Sequence, residues 1–587
     1  MPPDISDFEQ TDLRIRTLTA TLQSMHRSEP AVRTRRDLPP FLRHLATLLT
    51  CGGNKACMAA QVVAITGIVE ERGVKALVVT QNAAATQSTP FSLKGHKVAK
   101  SNETFDTIIS GDANVPLNQH IVDLLGLLSS YDRTDASQIM SVARFVTMRS
   151  MHKLFARLTS DKQTWKIRVA EILKDWKPTE SDESFEPFWV KKPINMGMEE
   201  AMMEKRGEGD SEEWLFSTKS IGVWANALGT LLSLLESHIK EYKGFPQDLR
   251  EQPMKPSIKQ LKKDVQKMLY LINSNAVSLH RFLTTHVKVV KKILVQKSIE
   301  HTFMSQKRIH VIEDLENKWK KELDNPTGKL DVGDEMDDEH VELRPEDRET
   351  EGQRVYRYLQ TIAAWHAGIA TLLQPKYESI LAGVSVGLVE VAGRKTDLMN
   401  HDEFVTEYLA RTMTATSDDE VEIREIFASF TPTWFTGTIH AEATLMGLLT
   451  YFSHPETTSS YIGDMDADML RTLFEPVLSM TTTPTIGVGK KCCWCCYKLA
   501  RLLKARNQEI LLPGTHGVFY AWSPPRIGVD IQVLKMMEQE LWEKLEKAVT
   551  DRLAQIPMVK AHSRQSSGSS TDVEFQWPVH KIQNVRK

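Results

Sequence analysis

Four of the chain's six cysteines fall inside five residues, Cys492-Cys493-Trp494-Cys495-Cys496, while the other two, Cys51 and Cys57, lie near the start. Six cysteines spread this way over 587 residues cannot be a disulfide framework. The cluster instead fixes local structure. Pro484-Thr485-Ile486-Gly487-Val488-Gly489 reads as a short buried strand, and Cys493–Lys504 reads as a helix, so the cysteines sit where a strand feeds directly into a helix. Two Cys three apart in a first helical turn share one face and can hold one ion between them. The helix N-terminus and the neighbouring Lys490 and Lys491 both favour thiolate over thiol. Two overlapping pairs meet this spacing, Cys492/Cys495 and Cys493/Cys496, and only one pair can occupy the two positions. A redox role lacks a thioredoxin-like context. Acylation is disfavoured because Ile486–Val488 makes the segment look buried.

A third donor comes from upstream. His-x-Glu occurs three times, at His340-Val341-Glu342, His401-Asp402-Glu403 and His440-Ala441-Glu442. The first lies in an acidic stretch and the second at a polar helix start. Only the third leads into an apolar helix, Ile439–Phe452. One His and two Cys hold Zn²⁺ and leave the fourth tetrahedral position for water. A Glu two residues after the His splays away from the metal at a helix start. It then serves as a proton shuttle between that water and a leaving amine. The expectation is a zinc-dependent hydrolytic deaminase acting on a nucleobase, with His440 and one Cys pair as ligands and Glu442 as the catalytic residue. The alternative is a non-catalytic helical scaffold or interaction protein stabilised by zinc. Such a protein has no need of Glu442. The plainest reading is a buried His, a capping Glu and thiols acting as small hydrophobes.

The rest of the chain bounds these readings. Hydrophobic residues make up 41% and charged residues 25%, too apolar for wholesale disorder. With 73 Lys and Arg against 76 Asp and Glu, the net charge of −3 excludes a globally basic nucleic-acid coat. No apolar run is long enough to span a membrane, and the start lacks the features of a signal peptide, so an intracellular chain without membrane contact is expected. Residues 10–50 read as helical. Val62–Val69 and Val74–Gln81 are β-branched runs joined by Glu70-Glu71-Arg72-Gly73, a hairpin signal. Residues 83–117 read as a loop, and 118–410 as helical almost throughout. Trp224, Leu228, Leu231 and Leu235 mark one amphipathic helix there, and two long helices are expected over 257–324. Residues 331–351 carry 11 acidic side chains and read as a solvated loop. Toward the C-terminus, Gly517–Trp522 reads as a strand, Ile531–Leu553 as a long helix, and the stretch after about 560 as a disordered tail.

Ile439-His440-Ala441-Glu442 followed by Ile486-Gly487-Val488-Gly489-Lys490-Lys491-Cys492-Cys493-Trp494-Cys495-Cys496 resembles the fungal branch of the nucleic acid/nucleotide deaminase superfamily. The second motif of that branch looks like Ile-Gly-Val-Ser-Lys-x-x-Cys-x-x-Cys. Gly489 stands where the family has Ser, and no Pro precedes the first ligand Cys, a trait shared with this branch. The resemblance covers about 436–526 and includes Thr515-His516-Gly517-Val518 and Trp522-x-Pro524. It implies that Cys493 and Cys496 are the ligands and that Cys492 and Cys495 are not. It also implies an α/β fold, a cytidine-deaminase-like mixed sheet flanked by helices, with a large all-α insertion or an N-terminal helical domain. In such a fold the early helix and the 62–81 hairpin would join the sheet. Asn82 would then stand where related deaminases contact substrate. His516 could contact substrate or cap a turn.

The expected divisions follow: 1–105 as helix and hairpin of the deaminase sheet, 106–425 as a helical insertion with an acidic loop at 329–352, 426–560 as the core with the zinc motifs, and 561–587 as the tail. Residues 253–300 hold ten Lys or Arg against two acidic residues. Lys262, Lys263, Lys267, Arg281, Lys288, Lys291 and Lys292 could track the phosphates of a single-stranded nucleic acid substrate. A solvated helix face is the commoner explanation of such a run, and a free nucleotide remains the other substrate class.

Overall fold

The computed structural model describes residues 5–25, 27–29, 32–33, 40–51, 62–70, 73–82, 91–99, 101–132, 134–191, 204–245, 259–306, 350–374, 377, 384–392, 397–412, 417–454, 464–479 and 483–554. The acidic stretch up to 349 and the expected tail lie outside them, as do residues 307–324 of the two expected long helices.

A mixed sheet organises the chain. Its strands are β1 (Val63–Glu70), β2 (Gly73–Gln81), β3 (Ser92–Val98), β4 (Ser385–Ala392), the two-residue β5 (Asp464–Met465) and β6 (Ile486–Val488). They lie in the order β6-β1-β2-β4-β3-β5. The hairpin β1–β2 is antiparallel, and β6 joins it antiparallel, with Ile486 opposite Thr66 and Val488 opposite Ala64. On the other side β4 runs parallel to β2, with Leu77 opposite Val386, and β3 runs antiparallel to β4.

The sheet has a core on each face because its residues alternate. Val63, Ile65, Leu77, Val79, Val386 and Leu388 enter one core, shared with helix α2 (Pro40–Leu49) and the helices between 117 and 372. Ala64, Val78, Val389, Val391, Ile486 and Val488 enter the other. That second core is completed by α1 (Ile5–Ser24), α3 (Ala441–Ser453), α4 (Ala467–Leu478), α5 (Trp494–Ala505) and α6 (Ile531–Leu553). Sheet and α2 approach closely at Gly487: a Cβ there would meet Leu42 Cβ at 2.5 Å. Among the described residues no helix is long and apolar enough to cross a membrane.

Three expectations are corrected. Residues 92–98, read as loop, form β3. The region read as helical contains β4 and a separate three-stranded sheet of Phe188–Lys191, Lys205–Arg206 and Glu213–Phe216. It is therefore not all-α. Strand β4 is buried on both faces over Val386–Val389, and such a strand shows an unbroken apolar run that periodicity cannot tell from a helix. Finally, Gly517–Trp522 is not a regular strand: Gly517 sits in a turn, and beyond it only isolated bridges form, Val518 with Ser28 and Trp522 with Thr438. Its backbone groups go elsewhere: Trp522 N–H donates to Thr19 Oγ1 at 3.1 Å, and Ala521 N–H donates to Gln23 Oε1 at 2.9 Å. Two of its N–H groups thus bond to side chains of α1.

The helices on the far face of the sheet carry the basic run. Lys259–Thr285 is one helix, followed by Val287–Leu294 and Lys297–Ser305. Val289, Val290, Ile293 and Leu294 are buried, and the lysines on the outer face rest against rings: Lys288 Nζ is 3.9 Å from the Phe188 ring centre and Lys292 Nζ is 5.5 Å from that of Phe185.

Two consequences are measurable. A fragment spanning 421–560 lacks β1 and β2, so Ile486–Val488 loses its ladder partner, and the fragment should be insoluble or fail to bind metal. A soluble, metal-loaded fragment would show that the hairpin is dispensable. The second concerns acid. His120 and His366 are buried, and burial, aided by Arg149 beside His120 and His280 beside His366, pushes each imidazole down to about 3. In the unfolded chain both titrate near ~6.5. Between these values the unfolded chain binds protons that the native chain does not, so stability falls as pH drops below ~6.5. Each group then costs roughly 2 kcal/mol at pH ~5. Melting temperatures between pH ~7 and ~5 should decline, and His120→Asn should flatten that decline; an unchanged slope in the variant would assign the acid sensitivity elsewhere.

Candidate metal centre

Helices α3 and α5 present their first residues to each other across the end of β6. His440 is the N-cap of α3, with extended backbone (φ −72°, ψ 147°), and Cys493 is the N-cap of α5 (φ −66°, ψ 167°). Cap positions stand outside the helical backbone, so their side chains project from the helix end. Cys493 Sγ also accepts the backbone N–H of Cys496 at 3.3 Å, which ties the Cys-x-x-Cys turn together.

His440 Nδ1 lies 3.4 Å from Cys493 Sγ and 3.6 Å from Cys496 Sγ. The three donor atoms fall within 4.8 Å of one another, and all three residues are buried. Tetrahedral ligands at the usual zinc–sulfur and zinc–nitrogen bond lengths stand about 3.6 Å apart, so the two His–Cys distances match those around a zinc-sized ion. The group could hold a metal. Among the described residues it is the one cluster of this kind. Cys492 is not in the cluster: its N–H donates to Gly514 O at 3.0 Å, its C=O accepts from His516 N–H at 3.2 Å, and its thiol is hydrogen-bonded to the Glu442 carboxyl. Cys495 is fully buried and does not enter the cluster.

The electrostatics separate the four thiols. Burial pushes Cys492, Cys495 and Cys496 well above the usual thiol range. Burial acts on Cys493 too, but hydrogen bonds from Cys495 and Cys496 and the charge of His440 outweigh it and hold that thiol well below the range. Glu442, in the first turn of α3, is 3% exposed, and burial raises its carboxyl above the ordinary carboxylate value.

Asn82 is brought to this site from the end of β2. Its Oδ1 accepts the Ala441 N–H at 2.8 Å, and its own N–H donates to Val62 O at 3.1 Å. It therefore ties the hairpin to the start of the His440 helix, and that oxygen is committed to the helix backbone. His516 is also present and buried. Its Nδ1 accepts the Val518 N–H at 3.2 Å, closing the turn in which Gly517 has φ +83°. The ring meets Tyr520 edge-on at 5.6 Å. The other two His-x-Glu motifs stay apart: His401 opens a helix elsewhere, and His340 lies outside the described residues.

Two residues at the site were not singled out for substrate contact. Tyr520 stands beside His440, ring centres 6.3 Å apart, and Lys490 Nζ lies 5.6 Å from the Tyr520 ring centre. For Tyr520 the signal was its place in the segment that already held His516. Lys490 was read only as a charge favouring thiolate.

A family model described as an OTT_1508_deam-like deaminase matches residues 439–526. This span carries a deaminase-like domain. It contains His440, Glu442, Cys493 and Cys496, and it takes in the Tyr520 segment as well. No curated protein and no solved structure matches the chain.

Proposed function

We propose that the chain is a zinc-dependent hydrolytic deaminase acting on a nucleobase carried by a nucleotide or a nucleic acid. The observation that carries this reading is the meeting of His440 Nδ1 with Cys493 and Cys496, with buried Glu442 two residues beyond the His. A purely structural site does not require such a carboxylate. The deaminase-like span at 439–526 supports the reading. So does the pairing of β6 with β1, which suits a cytidine-deaminase-like fold whose first strands are the 62–81 hairpin and whose long middle region is inserted. The motif likeness supports reading the chain as a member of the fungal branch of that superfamily.

His440, Cys493 and Cys496 would hold the ion, which when bound supplies the Lewis acidity that activates water at neutral pH. The chain's own residues do the rest. Glu442, kept from bulk water, takes a proton from the attacking water and returns it to the departing amine, so that ammonia leaves. A raised carboxyl value suits a group that must both accept and give a proton near neutrality. Asn82 fixes the helix start from which His440 and Glu442 project. Tyr520 stands beside the His440 ring, with His516 edge-on to it.

The buried side chains of the basic helices join the core on the face of the sheet opposite to the one that takes Ile439 and Cys493. Metal analysis of purified protein, followed by ammonia release from nucleosides, nucleotides and oligonucleotides, tests the proposal. About one zinc per chain and ammonia from at least one substrate are expected. Bound zinc with no ammonia from any of them would favour the scaffold reading.

A further inference from the structure

Lys490 follows β6 and precedes the ligand helix, and its side chain is half-buried. It is held over the face of Tyr520, with Nζ 5.6 Å from the ring centre. The Tyr520 ring in turn stands 6.3 Å from the His440 ring and 5.6 Å from the His516 ring. A single aromatic ring thus separates an ammonium from a metal-ligating imidazole. Tyr520 is 4% exposed, so the ring is fixed and the ammonium is carried on a rigid support.

A nucleobase that offers its amine-bearing carbon to the ion must point its sugar away from His440 and Glu442. Its phosphate then lies farther out, beyond the sugar. A half-buried ammonium at that distance, away from the screening of open solvent, is well suited to an anionic oxygen. We propose that Lys490, held against Tyr520, receives the phosphate next to the reacting base, so that the site selects phosphate-bearing substrates over free nucleosides. The inference rests on the deaminase reading above and names the substrate class within it. A mononucleotide and one unit of a nucleic acid share this phosphate.

The test uses the full-length, metal-loaded protein with Glu442→Gln, so that ligands bind without turnover. Calorimetry measures cytidine, adenosine, their 5′-monophosphates and a trinucleotide of each. At least one monophosphate should bind about tenfold more tightly than its nucleoside, the value of one charge-assisted contact. Lys490→Gln should erase that advantage, and Lys490→Arg should keep most of it. Lys504→Gln, at an exposed lysine paired with Glu509, should change neither. A trinucleotide that binds no better than the monophosphate marks the free nucleotide as the source of the phosphate; tighter binding marks the polymer, and either agrees with the inference. Equal weakening of nucleoside and nucleotide in Lys490→Gln, loss of bound metal in that variant, or no preference for phosphate would overturn it. Ammonia release by the Glu442 protein is scored separately. Phosphate-selective binding without ammonia would refute the enzyme reading and leave the role of Lys490 standing.

Discussion

Replacing either Cys493 or Cys496 with Ala should empty the metal site, and replacing Cys492 with Ala should not. The expectation rests on where the sulfurs stand. Cys493 Sγ and Cys496 Sγ lie 3.4 and 3.6 Å from His440 Nδ1, whereas Cys492 contributes no atom to the group. A site with three protein donors that loses one is left with two and an open sphere, and its affinity falls by orders of magnitude. Elemental analysis should drop from about one metal per chain to nearly none. Because an ion that binds only the native chain stabilises it by mass action, the same variants should melt several degrees lower in zinc-containing buffer. Cys492→Ala keeps the backbone bonds to Gly514 and His516; it loses a small buried side chain and the thiol's hydrogen bond to Glu442, about 1–3 kcal/mol together. If Cys492→Ala and Cys495→Ala released the metal and the other two did not, the ligand pair would shift by one residue.

The contrast between these variants shows what a sequence can and cannot say about such a site. The i, i+3 spacing of the cysteines and the His-x-Glu at a helix start were legible because helix ends impose a short-range geometry. The choice between the overlapping Cys pairs was not, because both have the same spacing. Family likeness favoured Cys493 and Cys496, and the structure brings the same two together with His440. The cause is local: Cys493 takes the cap position, while Cys492 is engaged in a bridge to Thr515.

The sheet was legible only in part. The hairpin showed as two β-branched runs around a Gly. Strand β3 was hidden because Gly95 occupies an inward position where alternation calls for an apolar side chain. A Cβ there would meet Met469 Cγ at 3.0 Å and Leu470 Cδ2 at 3.1 Å, so α4 leaves no room for one. Strand β4 was hidden by burial on both faces and by distance, since it pairs with β2 from some three hundred positions away along the chain. Neither the edge-on meeting of His516 with Tyr520 nor the seat of Lys490 on that ring has a signature in spacing. Both depend on how a segment hydrogen-bonded to α1 folds back across the metal helix.

Glu442→Gln should leave the metal in place and reduce deamination by about 10³-fold or more, the loss expected when a positioned acid–base group is removed. The substitution preserves size and most hydrogen bonding, and Glu442 is not among the three donors. It removes the one property the proposed reaction needs there, a carboxyl that can exchange a proton. Its position explains why it is suited to the task. At 3% exposure the carboxylate is poorly solvated, and burial raises its value more than the nearby charge of His440 lowers it. The metal content of the variant should equal that of the parent protein, and ammonia release on the best substrate should fall while binding of that substrate persists. Loss of metal in Glu442→Gln would make Glu442 a fourth ligand, closing the position that water must occupy. The centre would then be structural, and the helical scaffold would become the working account of the chain.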